Sequence, residues 1–364
     1  MADYREEFQK LFESLYIPIV GDEAKMERDM NDFLNQVYAH TPESLFRYRK
    51  CDDYSIDSFR DGTIYVCNAS RFSDKYDSRV FIDRDRIRQE TRDSLKAAIS
   101  NLVIRGIKAQ DSNLKSEKAS KVCYWMECGL SEEQIVDRII EEDFAGFIKE
   151  SEEDMKIREP RFRNAAKLGC FTESVQSKFM WDHYANGYTG FALEYNLKEL
   201  LIKYLKEREI FIPIFPVIYS DEMPDVTMDE SNIYTLEESK KKEWMKGWET
   251  LYHAFSPNAL HMYKPYLYKD KAEYSHEREW RLIYYDKEKN EDYALIPDLD
   301  CLKAIYYGPD ITPENKSILH EIAARRGIAE YDVAFDLESR NYKLKIQNRG
   351  GPAGRSFLFD KITK

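Results

Sequence analysis

Six short runs rich in aromatic and β-branched residues are spread over the whole length of this chain, and they constrain its fold more than any other feature. They read GTIYVCN from Gly62, LGCFTES from Leu168, GFALEY from Gly190, EREWRLIYY from Glu277, CLKAIYY from Cys301 and AEYDVAF from Ala329. Each has the length and residue type of one strand, and none can satisfy its own backbone donors and acceptors. They must therefore pair across large sequence separations. Charged stretches with helical spacing lie between them, so the pattern predicts an α+β fold. Its central sheet, mixed or antiparallel, is assembled from segments near 45–67, 167–195, 211–219, 277–286 and 301–336, with surrounding helices and an inserted helical lobe.

The intervening segments supply the domain plan. Residues 1–42 form an N-terminal helical layer, in which Phe8, Leu11, Phe12 and Leu15, then Met30, Phe33, Leu34 and Val37, recur at helical spacing; Pro18 and Gly21 divide the two helices. Residues 43–82 and 167–346 make the α+β core, and 83–166 the inserted helical lobe, where Ile135, Ile139, Ile140, Phe144 and Phe147 mark one face. A further helix is expected in KKKEWMKGWETLYHAF, with Trp244, Trp248, Leu251, Tyr252 and Phe255 on one side. FIPIFPVIYS carries two prolines and belongs at a sheet edge. Near the end, Thr312 suits an N-cap, Pro313 the first helical turn and Gly327 the helix stop. Residues 347–364 are expected as a C-terminal hairpin strand around NRGGPAGRS, whose arginines and glycines could also cradle a phosphate.

With 55 Lys and Arg against 67 Asp and Glu, the net charge is -12, which argues against a broad nucleic-acid surface while leaving room for a local basic pocket. No stretch has the apolar length of a membrane span and the start of the chain lacks a signal-peptide pattern, so a cytoplasmic protein with no membrane association is expected. The six cysteines are scattered without a CxxC pair, which suits reduced thiols and predicts no metal site.

Two segments carry polar groups that a simple core would not need. In MWDHYANGYTG, His183 between Asp182 and Tyr184 can serve as a general base or donor, beside the aromatic Trp181; equally, Trp181 and Tyr184 can pack inside while His183 makes one structural hydrogen bond. Gly187 and Gly190 imply a tight turn or a close backbone approach. In EREWRLIYY, alternation puts Glu277, Glu279 and Arg281 on one strand face and Arg278 and Trp280 on the other. Paired carboxylates can raise each other's pKa and stabilise a developing cation, although Glu-x-Glu-x-Arg is also the pattern of a charge ladder on a wet face. A third arrangement, Asp74, Asp77, Glu194, Glu277 and Glu279 around magnesium, would make a metal-dependent nuclease. P-loop, GxGxxG, GxSxG and HExxH patterns are absent.

GTIYVCNASRFSDKYDS, LGCFTESVQSKFMWDHYANGYTGFALEY, EYSHEREWRLIYY and KAIYYGPDITPEN, in that order, resemble the bacterial domain-of-unknown-function family numbered twenty-nine seventy-one, over roughly Leu45 to Ile346. Where that family usually has Asn-Asp-Pro-Phe-Asp, this chain has Ser73, Asp74, Lys75, Tyr76 and Asp77, so the Asn and Pro are absent. The resemblance implies a toxin or phage-defence setting and a possible protein partner or antitoxin. Glu-x-Glu on a strand is separately similar to the signature of ADP-ribosyltransferases. That likeness implies NAD as substrate, with Arg47 on the diphosphate, Tyr65 or Tyr48 as an aromatic wall against nicotinamide, Glu279 on the ribosyl cation and Glu277 on the acceptor. Trp181, His183, Tyr184 and Arg281 would complete the pocket. The alternative from another class is a non-catalytic sensor that binds a nucleotide-like small molecule or a phage component.

Overall fold

The structure, a computed structural model, describes residues 4–17, 22–83, 117–144, 163–226, 258–285 and 291–349, with a few positions between 85 and 96. The expected helix over 240–255, most of the inserted lobe, the Pro18–Gly21 break and the loop from Gly350 onward lie outside the described residues.

The helices are α1 (Tyr4–Ser14), α2 (Glu23–His40), α3 (Asp53–Arg60), α4 (Glu117–Glu127), α5 (Glu132–Ile139), α6 (Lys178–Tyr184), α7 (Leu197–Arg208), α8 (Lys264–Leu267), α9 (Lys271–Tyr274) and α10 (Pro313–Arg326). The strands are β1 (Leu45–Arg49), β2 (Thr63–Asn68), β3 (Lys167–Thr172), β4 (Phe191–Tyr195), β5 (Ile214–Pro216), β6 (Ile218–Ser220), β7 (Tyr268–Asp270), β8 (Glu279–Tyr284), β9 (Tyr293–Pro297), β10 (Leu302–Tyr307), β11 (Ala329–Phe335) and β12 (Leu344–Asn348). Side-chain caps fix several starts: Asp22, Asp52, Ser177, Asn196 and Thr312 each accept a backbone N–H from the first turn that follows. α10 ends where Gly327 takes a left-handed conformation, as its sequence requires.

The main sheet is mostly antiparallel and runs β12-β11-β10-β4-β1-β3-β2-β9, with β8 and β5 branching from β3. The architecture is α+β. β10 and β11 are parallel and joined by α10. The proline-bearing FIPIFPVIYS divides into β5, which pairs with β8, and β6, which pairs in parallel with β7 in a separate two-stranded sheet. Both prolines thus avoid a central position, since neither has an N–H to give to a ladder.

One sheet face carries the larger core, where Phe8, Phe12, Phe33 and Val37 of α1 and α2 meet Leu200 of α7, Leu319 of α10 and Phe215, Leu282 and Ile305 of the strands. The N-terminal layer therefore packs into the core itself. The other face carries a smaller cluster of Phe46, Tyr48, Trp181, Ala192, Tyr306, Val333 and Leu344. Covering that cluster is α6, a helix in a segment to which the sequence pattern assigned no element.

β3 is the branch point. Along one edge it pairs with β8 for its full length, from Lys167 opposite Tyr284 to Thr172 opposite Glu279. Its other edge is shared: β2 pairs at Lys167 and Leu168, and β1 at Thr172. Between those pairings β1 and β2 part, leaving a split in the sheet beside Gly169, Cys170 and Phe171. β4 holds β1 on its far side through a close backbone approach at Gly190, where a Cβ would lie 2.1 Å from the Arg49 carbonyl oxygen.

Candidate functional site: a buried charge cluster beside a split sheet

Strand alternation brings Glu279 and Arg281 to one face of β8. Glu277 reaches the same place differently: it ends a short 3-10 turn, and Arg278 then takes a left-handed conformation, with φ at +48°, before the strand begins. The expectation that one continuous strand presents all three is thus corrected at its first residue. Arg278 and Trp280 do share the opposite side, where both donate to Glu173, at 2.5 Å from Arg278 Nε and 2.8 Å from Trp280 Nε1.

Nor is the cluster a ladder on a wet face. Glu277, Glu279 and Arg281 are 3%, 4% and 0% exposed. Lys269 Nζ of β7 donates to Glu277 Oε2 at 2.6 Å and to Glu279 Oε2 at 2.9 Å. Arg281 Nε donates to Glu279 Oε1 at 2.8 Å, while its two terminal nitrogens reach both carboxylate oxygens of Asp77 at 2.9 and 2.5 Å. Tyr184, at the end of α6, donates its hydroxyl to Glu277 Oε1 at 2.5 Å, and Tyr219 accepts the Glu279 backbone N–H at 2.7 Å. Thr172 donates to the Glu277 carbonyl at 2.6 Å.

Two cationic side chains, Lys269 and Arg281, thus face three carboxyl groups, those of Asp77, Glu277 and Glu279, in a nearly dry space. Burial alone would raise the Glu279 pKa, but Arg281 and Lys269 outweigh it and hold the carboxyl well below the usual range, so it stays ionised. The same balance lifts Lys269 and Arg281: burial lowers each, and the carboxylates more than reverse it. Cys170, between this cluster and the sheet split, has its thiol pushed well up by burial and by the Glu279 charge. Tyr184 is pushed up by burial and by Glu277.

Arg47 and Tyr65 belong to β1 and β2, on the edge of β3 away from β8. The Arg47 guanidinium sits 5.4 Å over the Phe171 ring, its Nη1 is enclosed without a hydrogen-bond partner, and burial drags its pKa down against small opposing effects of Tyr195, Cys170, Cys67 and Tyr65. The structure therefore brings Glu277, Glu279, Arg281 and Tyr184 together, with Cys170 opposite Arg281 on β3, whereas Arg47 turns to the other sheet face over Phe171 and Tyr65 stacks on Tyr293, so neither joins the cluster. Trp181 and His183 do not join it. Trp181 is fully buried, bonds through Nε1 to the Val175 carbonyl at 2.7 Å and meets Tyr48 edge-on at 5.0 Å, so it has no face left for a ligand. Tyr48 belongs to the same cluster and gives its hydroxyl to the Ser174 carbonyl, which removes it as an aromatic wall. His183 is half exposed, stacks on Phe179 at 3.9 Å and uses Nδ1 on the Phe179 carbonyl. A short helix separates these neighbours: residues 181, 183 and 184 point to core, solvent and cluster respectively.

The acidic set proposed around magnesium is likewise divided. Glu194 accepts from Ser44 and Tyr306, on a different part of the sheet, and Asp77, Glu277 and Glu279 are matched by Lys269 and Arg281. Among the described residues, no group of three or more His, Cys, Asp or Glu side chains is arranged to hold a metal ion. No described helix is long and apolar enough to cross a membrane.

Lys269 and Arg49 escaped the sequence reading. Lys269 is a lone lysine in the aromatic run YLYKD, a composition that says nothing about its partners. Arg49 was visible, since Arg47 and Arg49 two residues apart on a strand must share a face.

Residues 180–282 match the family of the description "Protein of unknown function (DUF2971)". That span runs from Met180 of α6 to Leu282 of β8 and holds Tyr184, Lys269, Glu277, Glu279 and Arg281; it is narrower than the Leu45–Ile346 span of the resembling motifs. Comparison with curated proteins gave no match, and comparison with solved structures gave none.

Proposed function

We propose that this chain is a cytoplasmic bacterial enzyme of the toxin or phage-defence type that transfers ADP-ribose from NAD at the Glu277–Glu279 cluster. The observation that carries the reading is a nearly dry carboxylate, Glu279, held ionised by Arg281 and Lys269 beside a second buried carboxyl group, Glu277. A fixed anion in a low-dielectric site is suited to a cation that exists only in the transition state. In this reading the C1′–N bond breaks with its electron pair leaving on nicotinamide, Glu279 steadies the ribosyl cation, and the acceptor atom bonds to C1′ as its proton passes to Glu277. Tyr184 fixes Glu277.

Lys269 occupies the position between the carboxylates, so the reaction requires its ammonium to turn aside. Its Nζ already lies 4.2 Å from the Tyr274 ring, which can keep the ammonium company when the carboxylates release it, and β7 is a three-residue strand outside the main sheet. Incubation of the full chain with labelled NAD tests the reading: Glu279→Gln should reduce label transfer by about 10²–10³-fold. Transfer unaffected by Glu279→Gln refutes the assignment.

One observation favours the second reading, a non-catalytic sensor of a nucleotide-like molecule: both carboxylates of the pair already have cationic partners. Saturable NAD binding with no label transfer in the wild type selects it.

A further inference from the structure

With β10, β4, β1 and β3 between it and β8, a second polar group is built where α10 meets β10 and β11. His320 of α10 holds its Nδ1 at 3.0 and 2.9 Å from the two carboxyl oxygens of Glu330, and Tyr307, the last residue of β10, donates its hydroxyl to the same group. Oxygens that accept from both a hydroxyl and a ring N–H belong to a carboxylate, so the imidazole proton sits on Nδ1 and Nε2 keeps its lone pair. Tyr307 is fully buried, and burial together with its bond to Glu330 pushes its pKa up, which keeps it a donor. Glu330 is 9% exposed, whereas the His320 side chain is 56% exposed. A carboxylate fixed from beneath thus orients an accessible imidazole whose free nitrogen points away from it.

Two other exposed histidines show what is particular to this one. His40 and His183 set the same nitrogen on backbone carbonyls, those of Gln36 and Phe179, and each ring is stacked on an aromatic neighbour, Tyr4 at 4.0 Å and Phe179 at 3.9 Å. Asp182 stands 3.6 Å from His183 Nδ1, too far for a hydrogen bond. A carbonyl fixes the tautomer but brings no charge. At His320 the partner is anionic, and it stabilises the positive charge that appears on the ring when Nε2 forms a new bond. Four residues earlier on the same side of α10, Lys316 shares one carboxyl group, Asp332, with Arg349, at 2.6 and 3.0 Å. Two cationic side chains on a single partner therefore flank the imidazole.

We infer that His320 is a phosphoryl acceptor, modified on Nε2 by a small acyl phosphate, with Glu330 as its positioning residue. The Nε2 lone pair attacks phosphorus, the bond from phosphorus to the acyl oxygen breaks with its electron pair leaving on the acyl carboxylate, and the Nδ1 proton stays on the ring facing Glu330. The imidazolium so formed is ion-paired with Glu330, and Lys316, one turn away, is the cation placed to answer the phosphoryl charge. This modification is independent of the chemistry proposed at Glu277 and Glu279.

Incubation of the full chain with radiolabelled acetyl phosphate, followed by peptide mass spectrometry, tests it. The label should be acid-labile and attached to Nε2 of His320. In the wild type it should accumulate there at least about tenfold faster than on His40 or His183, the usual worth of a charge-assisted hydrogen bond. That comparison lies within one folded protein and needs no variant. Glu330→Gln, which keeps an acceptor but removes the charge, should slow labelling of His320 to the rate of the other two. A purely structural contact between His320 and Glu330 gives no such difference. Equal rates at the three histidines, attachment to Nδ1, no label on His320, or a rate unchanged by Glu330→Gln in a protein that melts like wild type, overturns the assignment.

Discussion

Replacing Arg281 by Met is the sharpest test of the charge cluster. The side chain is fully buried and makes four well-formed hydrogen bonds: two to Asp77, one to Glu279 and one to the Tyr266 carbonyl. Methionine roughly fills the space but offers no donor. Asp77 keeps only the Ser78 hydroxyl among these partners, and Glu279 keeps Lys269. Removing one member of a buried ion pair costs about 3–5 kcal/mol, because the remaining charge is stranded. The loss should shrink in acid. In the wild type the Glu279 pKa is depressed by Arg281 and Lys269, so its stabilisation is present above the unfolded value and is lost as pH falls through the folded one. Without Arg281 that depression is smaller and there is less to lose. Urea unfolding of both proteins at neutral pH and at about pH 2, well below the unfolded carboxylate value and towards the depressed folded one, measures the effect. A neutral-pH deficit under about 1 kcal/mol, in the range of an exposed pair, would refute the claim that these charges are buried and mutually dependent. A deficit equal at both pH values would refute the linkage.

Three further outcomes follow from particular contacts. Gly190→Ala should unfold the β1–β4 junction, seen as loss of soluble protein or a steep fall in melting temperature, because its Cβ would meet the Arg49 and Ala185 carbonyl oxygens at 2.1 and 2.9 Å. Tyr184→Phe, which strips one hydrogen bond from the Glu277 carboxylate, should cost about 1.5–3 kcal/mol in the same urea assay. His183→Ala, changing a half-exposed side chain outside the cluster, should stay within about 0.5 kcal/mol of wild type, and a larger loss would restore the imidazole to the site.

Local pattern determined much of this protein. The strands, the helix between Thr312 and Gly327 and the α+β class follow from residue type and period, because backbone pairing and capping depend on neighbours in the chain. Glu279 and Arg281 could be assigned to one face by counting alone. Glu277 could not, since a left-handed Arg278 breaks the count, and Trp181, His183 and Tyr184 could not be told apart until a helix sent each to a different environment. Which charges meet was decided only by the tertiary structure. Lys269, Asp77 and Arg281 come from three separate segments of the chain. Electrostatic partnership depends on distance and on exclusion of water, and a chain sets both only when its remote segments pack.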